Sequence, residues 1–177
     1  MPGVGKYTVA KRLRDILPAR LIDNHLIIDL VEGICGGRTR DYARMLATIT
    51  GIVYSLIVQT SADGIILFTN SLAKGLPEDE ARLAAVKDLA RRMQTLFVSI
   101  LLTCEAAENE RRLLMPDRSS KGKLMDARNL RELIAKYQIA HYPEHPNAFQ
   151  IDTSMLTAEQ AANKIVEHLK SCTALEG

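Results

Sequence analysis

The segment PGVGKYT, residues 2–8, stands at the start of a helical pattern that we predict from Gly5 to Ile16. Glycines let backbone N–H groups turn toward an anion without a Cβ in the way. The helix that follows directs the positive end of its dipole at the same place. Lys6 adds an ammonium group there. The segment therefore predicts an anion site at the start of a helix, of a kind that suits phosphate.

The composition of the 177 residues is that of one ordinary globular domain, predicted over residues 1–177. Apolar residues make up 47% and charged residues 25%, which excludes a disordered tail, a collagen-like fibre and a disulfide scaffold. A net charge of +2 argues against a strongly basic nucleic-acid binder. No apolar run approaches the ~20 residues that span a membrane. We therefore expect neither nucleic acid nor a membrane as a partner.

The cysteines indicate the cellular compartment. Cys35, Cys104 and Cys172 are odd in number and widely spaced, which argues against a zinc site and a disulfide framework. We expect Cys104 to be a core thiol at the end of a strand. A reducing cytoplasmic compartment fits this use of cysteine best, and no signal peptide pattern is present at the start.

Short apolar runs alternate with longer helical periods along the chain. The predicted strands are Ala19–Asp23, Gly64–Phe68, Leu96–Leu102 and Ala148–Asp152. The predicted helices between and after them begin near His25, Arg40, Pro77, Glu105, Asp126 and Thr157. Such alternation predicts an α/β fold with a mainly parallel sheet. Ligands on these sheets bind beyond the carboxyl ends of the strands, so candidate residues are sought there.

The form Gly5-Lys6-Tyr7-Thr8 resembles the phosphate loop of adenylate-kinase-like nucleotide kinases. In its order of elements the whole chain resembles a small P-loop kinase of the nucleoside-monophosphate-kinase, shikimate-kinase and chloramphenicol-phosphotransferase group. The resemblance implies a P-loop NTPase three-layer sandwich, a parallel sheet of order 2-3-1-4-5 and a short helical lid at about residues 111–128. Strand 1 would lie upstream of Met1, so we expect it to be missing or incomplete and the sequence to begin too late.

The resemblance also assigns cofactors, namely ATP and Mg²⁺. The residues that it places around the phosphates are Gly3, Val4, Gly5, Lys6, Tyr7 and Thr8. The first glycine of the motif is absent, and Tyr7 stands where a Ser or Thr usually follows the lysine. Thr8, one place later, would then hold a phosphate oxygen or the metal.

Polar residues after the second and third strands are candidates for the acceptor side. Asp23 is predicted to order the acceptor or Mg²⁺, although it could instead cap the next helix. His25 stands where related kinases carry a second carboxylate, and either contacts the acceptor or is structural. Thr69 and Asn70 would bind the acceptor, or simply form a turn. The acceptor region is expected between the end of the second strand and the helix Arg40–Gln59.

Basic residues between Arg111 and Arg128 resemble the lid of these kinases. Arg112 and Arg118 are predicted to clamp the transferring phosphate from the lid, because arginine forks match phosphate oxygens. The alternative is a solvated basic helix end. Asp152 and Thr153 match the adenine-side loop after the last strand, so they and Arg118 join the cofactor-binding candidates. Met155, like most of the methionines, is predicted to pack in the core or the lid.

Together these features predict an ATP-dependent kinase that transfers a phosphoryl group to a small molecule, with a nucleoside monophosphate such as CMP as one candidate acceptor. A competing hypothesis is an ATP-binding protein without kinase turnover, a sensor or a degenerate relative, which Tyr7 and His25 favour. A third is an interaction module that uses the basic lid. The sequence leaves a homodimer open.

Overall fold

A computed structural model describes residues 3–60, 64–113 and 145–174. The helices are α1 (Lys6–Ile16), α2 (His25–Cys35), α3 (Tyr42–Gln59), α4 (Pro77–Arg92), α5 (Ala106–Leu113) and α6 (Ala158–Ala174). The strands are β1 (Ala19–Asp23), β2 (Ile65–Thr69), β3 (Ser99–Thr103) and β4 (Ala148–Asp152). The predicted α/β alternation is therefore confirmed. The predicted helix near Asp126 and most of the predicted lid lie outside the described residues.

The described strands form two parallel pairs. β1 pairs with β2 from Ala19↔Ile65 to Asp23↔Thr69. β3 pairs with β4 from Ser99↔Ala148 to Thr103↔Asp152. Each pair ends in register, so the residues that close its two strands lie side by side at the carboxyl edge. Two two-stranded sheets result, and the five-stranded order 2-3-1-4-5 stays a prediction.

The larger hydrophobic core joins α1, β3, β4 and α6. Its buried side chains include Val9, Leu13, Leu102, Ile151 and Ile165. Partly buried residues, among them Leu67 from β2, pack against it. A smaller cluster forms around Tyr54, Ile57 and Leu89 of α3 and α4. The first cluster matters for function because it anchors the start of α1.

Local sequence signals set several helix ends. Thr157 and Gln160 form the predicted capping box: Gln160 N–H donates to Thr157 Oγ1 at 3.1 Å, and Thr157 N–H donates to Gln160 Oε1 at 2.9 Å. Pro77 opens α4 as predicted. Gly36 ends α2 with φ 67°, a left-handed conformation that favours glycine.

One strand boundary was wrong by three residues. The apolar run predicts a strand over Leu96–Leu102, but β3 spans Ser99–Thr103. Phe97 precedes the strand and packs by its ring, which meets the His145 ring edge-on at a centroid distance of 5.0 Å. Phe97 therefore lengthens the apolar run in the sequence, but it adds no residue to the hydrogen-bonded strand.

The helices α2 and α3 contact each other and expose large aliphatic side chains. We call this set the α2–α3 face; its members are 52–66% exposed and are Leu26, Leu30, Ile34, Ile52 and Leu56. By length and composition alone α3 could cross a membrane, since its 18 residues have a mean hydropathy of 1.2 and only 11% of them are buried. In the structure α3 also contacts α4, and its buried Tyr54 and Ile57 join the smaller core.

Candidate functional site

The phosphate loop, residues 3–8, leads directly into α1. Gly3 and Gly5 have φ of 86° and 88°, in the left-handed region that a side chain disfavours. Gly5 is the N-cap, and its carbonyl accepts the N–H of Val9 at 2.9 Å. Glycine brings no capping side chain, and no acidic residue occupies the first turn of this 11-residue helix. The start of α1 therefore keeps the positive potential that attracts an anion.

A cavity of about 600 Å³ opens beside this loop. That volume lies within the range of sites for nucleotide-sized ligands. Three segments of the chain supply its walls. These are the phosphate loop and the start of α1, the α5 residues Glu108, Arg111 and Arg112, and the turn before α6 with its first helical residues. The predicted phosphate residues other than Lys6, together with the predicted adenine-side residue Thr153, thus line one space. Lys6, the first residue of α1, is not among the lining residues.

Thr153 ties the walls together. Its hydroxyl lies 3.2 Å from the Val4 carbonyl and 2.9 Å from the Thr103 carbonyl, and its N–H donates to Thr103 at 2.9 Å. The residue is 2% exposed and Val4 is 1% exposed. The side chain of Thr153 therefore holds the main chain of the loop, from a position 149 residues later in the sequence.

Arg112 braces the same wall. Its Nη2 donates to the Thr153 carbonyl at 2.6 Å, and its Nη1 donates to the Thr153 hydroxyl at 3.1 Å. Its Nε donates to Glu108 Oε1 at 2.7 Å. The predicted phosphate clamp Arg112 thus lies at the cavity, where its guanidinium donates to protein groups. The other predicted clamp, Arg118, lies outside the described residues.

Arg111, the neighbour of Arg112, is predicted by its helical position to face away from the site, but it also lines the cavity and binds the same carboxylate. Its guanidinium forms two bonds to Glu108, at 2.6 and 2.8 Å, and its side chain is 61% exposed. Hydrogen bonds from Arg111, and next from Arg112, lower the pKa of Glu108 to about 2. The carboxylate of Glu108 is therefore ionised at neutral pH and orients both arginines.

Asp152 ends β4, and Met155 lies in the turn that follows. Asp152 does not line the cavity; its carboxylate accepts the Ser154 hydroxyl at 2.6 Å and the Ser154 N–H at 2.8 Å, and these bonds lower its pKa. Met155 was predicted to be packed, which is wrong, because it is 92% exposed on the cavity wall. It lies in a turn, where the periodic burial of a strand or helix no longer applies.

A second polar group lies at the carboxyl edge of β1 and β2. The Thr69 hydroxyl donates a short hydrogen bond to Asp23 Oδ1, and Thr69 is 6% exposed. Asp23 does not cap α2, since the N-cap is Asn24, whose side chain makes no capping bond. His25 Nδ1 lies 3.5 Å from Asp29 Oδ1. The structure brings Asp23 and Thr69 together, but neither they nor His25 and Asn70 line the 600 Å³ cavity.

Sequence reasoning missed Asn109. It is 0% exposed, and neither polar atom of its side chain has a hydrogen-bond partner among the described residues. Asn109 stands in the highly charged segment Glu105–Arg112, which resembles a solvated helix face, so the sequence gave no sign of its burial.

Among the described residues, no group of three or more His, Cys, Asp or Glu side chains could hold a metal ion.

Comparison with known proteins relates the fold to a solved structure. A crystal structure described as "a putative kinase from chloroflexus aurantiacus j-10-fl" superposes with a TM-score of 0.65. The two chains are 17% identical, and the match covers 96% of this chain and 92% of that chain. The chain therefore shares the fold of that structure. No protein-family model and no curated protein sequence matches it.

Proposed function

We propose that this protein is an ATP- and magnesium-dependent phosphotransferase acting on a small molecule. One observation carries the proposal: the uncapped start of α1, preceded by Gly3 and Gly5 in left-handed conformations, opens on a cavity of about 600 Å³. This arrangement suits a polyphosphate, because backbone N–H groups and the helix dipole converge on it. The similarity in fold to a structure described as a kinase supports the same reaction class.

The residues present fit ATP at this place. Lys6 would neutralise the outer phosphates, while the phosphate loop holds them by its main chain. Arg112, Thr153 and the exposed Met155 offer a polar and apolar wall for the rest of the nucleotide. Adenine recognition by backbone groups near Thr153 needs no particular side chain, in keeping with the turn that follows β4.

Magnesium would be held mainly by phosphate oxygens and water, as is usual for this ion. Thr8 is exposed and lines the cavity, and its hydroxyl is the first protein ligand that we propose. Asp23 is the second, and would act through its free carboxylate oxygen or a bridging water, since Oδ1 accepts the Thr69 hydroxyl. When bound, the metal neutralises charge on the phosphates.

We place the acceptor near Asp23, Thr69 and Asn70 at the carboxyl edge of β1 and β2. An acceptor hydroxyl or phosphate oxygen would attack the γ-phosphorus as the bond to the bridging oxygen breaks, so that ADP leaves. Asp23 would orient that oxygen, with Thr69 fixing the carboxylate. His25 would need to leave Asp29 before it could contact the acceptor.

For the fold we propose the sheet order 2-3-1-4-5, with a strand that runs into Gly3 between β2 and β3. Each of these strands pairs with a single described neighbour, and side chains of both reach the larger core. Lengthening the gene upstream by about fifteen codons should then raise the melting temperature, because a strand of ~5–6 residues would pair both edges. A stop codon immediately upstream would contradict this.

The alternative is a nucleotide-binding protein without turnover. Tyr7 in place of Ser or Thr favours it, and so does Arg112, whose donors are engaged by Thr153 and Glu108. Release of ADP from ATP with Mg²⁺ separates the two, measured with nucleoside monophosphates including CMP, sugar acids and antibiotic-like alcohols as acceptors. We expect one acceptor class to stimulate ADP release. Nucleotide binding without stimulation by any class would support the alternative, and no binding would favour an interaction module.

A further inference from the structure

The α2–α3 face presents an aliphatic surface to water. Leu26, Leu30 and Ile34 recur every four residues on α2, so they form one stripe along that helix. Ile52 and Leu56 form a second stripe on α3, which contacts α2. The side chains of both stripes are 52–66% exposed. An apolar surface that continues over two helices is typical of a site for a protein partner.

Two glycines lie within these helices on their exposed side. Gly33 precedes Ile34 in α2, and Gly51 precedes Ile52 in α3; both glycines are exposed. Glycine is less favourable than alanine inside a helix. A Cβ added at either position would meet no heavy atom within 4 Å in any other part of the described chain. Packing within the described chain therefore gives no reason for these glycines, whereas the close approach of another helix would give one.

The charges of the two helices indicate which partner fits. α2 carries Asp29 and Glu32 and no Lys or Arg, whereas α3 carries Arg44 and no Asp or Glu. The side chains of Asp29 and Arg44 are 64% and 76% exposed, and their ion pairs with His25 and Asp41 are the weak kind found at surfaces. Placing α2 of one copy on α3 of another brings opposite charges together, so the face is complementary to itself.

Lipid fits the same face less well. The carboxylates of Asp29 and Glu32 would meet anionic headgroups, and α3 contributes only Arg44 with the opposite charge. The other side of α3 is held in the smaller core by Tyr54 and Ile57. Moving α3 into a bilayer would break that core.

The face has the size that a dimer needs. The 18 residues of α3 are about 27 Å long and two helices are about 20 Å wide, which gives a flat area on the order of 500 Å². Side chains make the accessible area larger than this flat area. A stable interface usually buries about 800 Å² on each partner. Two copies that use the same face around a twofold axis meet this requirement.

We propose that a second copy of this chain covers the α2–α3 face, with α2 of each copy packed on α3 of the other. The pairing removes both aliphatic stripes from water, and it uses Gly33 and Gly51 for the close approach of the helices. The walls of the 600 Å³ cavity come from other parts of the chain. The inference is therefore independent of the proposed function.

The test is sedimentation equilibrium over a range of protein concentrations. The unaltered chain should reach twice the 19.6 kDa of a single chain. Gly51→Ala, which fills the space for close approach, should raise the dissociation constant at least about tenfold, and so should Leu30→Gln. Ile16→Gln is the matched control, because it makes the same kind of change at an aliphatic residue of α1 that is 46% exposed. It should dimerise like the unaltered chain.

A second measurement separates the interface from folding. In the monomeric Leu30→Gln background, adding Gly51→Ala should raise the melting temperature by about 2–4 °C, because alanine favours the helix. A fall would mean that Gly51 is already packed within the chain, and would overturn the inference.

Two further results would also overturn it. One is a dimer that neither Gly51→Ala nor Leu30→Gln weakens, which would place the interface elsewhere. The other is an unaltered chain that stays monomeric at every concentration. If that monomer floats with vesicles of phosphatidylcholine and phosphatidylglycerol, lipid covers the face instead.

Discussion

Two halves of the molecule hold their shape in different ways. Around the cavity, in α1, β3, β4, α5 and α6, hydrogen bonds join residues far apart in sequence, such as Thr153 with Val4 and Arg112 with Thr153. In and beside α2 and α3, the side-chain hydrogen bonds of the described residues join positions 3–10 residues apart, as between Arg38 and Glu32. The first half also contains the larger core, whereas the second carries the exposed α2–α3 face.

The two halves differ in how firmly their exposed features are held, and this bears on the proposed binding of phosphate by the loop at residues 3–8. The phosphate site that we propose uses main-chain N–H groups, so it depends on how the main chain of the loop is held. The buried Val4 anchors the loop in the larger core, and Asn109 and Thr153 contact the loop from outside. Among the described residues the α2–α3 face has no comparable long-range hydrogen bonds, and it leaves its aliphatic side chains exposed.

The largest expected effect is at the glycines. Gly3→Ala should cost about 3–5 kcal/mol, combining a left-handed alanine with the overlap on Asn109 Oδ1 at 1.8 Å. Gly5→Ala and Gly36→Ala, one in each half, should cost only about 1–2 kcal/mol, since their added Cβ atoms meet nothing closer than 3.9 Å. Urea unfolding measures all three, and equal losses would contradict the special packing at Gly3.

The next largest loss of stability is expected at Arg112, compared with its neighbour Arg111. Arg112→Leu should lower the free energy of unfolding by about 2–3 kcal/mol, because its side chain is only 19% exposed and its loss removes the guanidinium donors to Thr153 and one of the two arginines bound to Glu108. Arg111→Leu, at a side chain 61% exposed, should cost less than about 1 kcal/mol. Denaturant titrations of the pair check this, and a larger loss at Arg111 would show that the cavity wall is not braced as described.

The smallest effect is expected on the α2–α3 face. Leu30→Gln and Leu56→Gln should each change the free energy of unfolding by less than about 0.5 kcal/mol, whereas Leu13→Ala in the larger core should cost about 2–5 kcal/mol. Light scattering on the same samples gives the molar mass. If the unaltered chain is a dimer and Leu30→Gln is a monomer, a second copy covers this face; a larger loss of stability without any change of mass would contradict its exposure.

The sequence predicts the fold well where local signals and burial agree. β1 and β4 have their predicted bounds, and the Thr157–Gln160 capping box forms. The start of β3 was wrong because Phe97 is apolar for packing against His145 rather than for pairing. Periodicity cannot separate these two uses of an apolar residue.

The candidate site was predictable only in part. Glycine spacing marked Gly3 and Gly5, whose positive φ angles fit the predicted loop. The contacts that support the loop come from residues over 100 positions away, so no local sequence pattern predicts the role of Asn109. The hydrogen bonds of Arg112 to Thr153 join residues 41 positions apart, and the sequence did not predict them either.

Calorimetric titration with a non-hydrolysable ATP analogue and Mg²⁺ tests the central claim most directly. The account predicts one site per chain, and at least about a tenfold loss of affinity in Lys6→Met from removing a charge-assisted phosphate contact. Lys170→Met, the same change at an exposed position of α6, is the control and should bind like the unaltered chain. Absence of binding, or equal affinity in both variants, would contradict a nucleotide site at the start of α1.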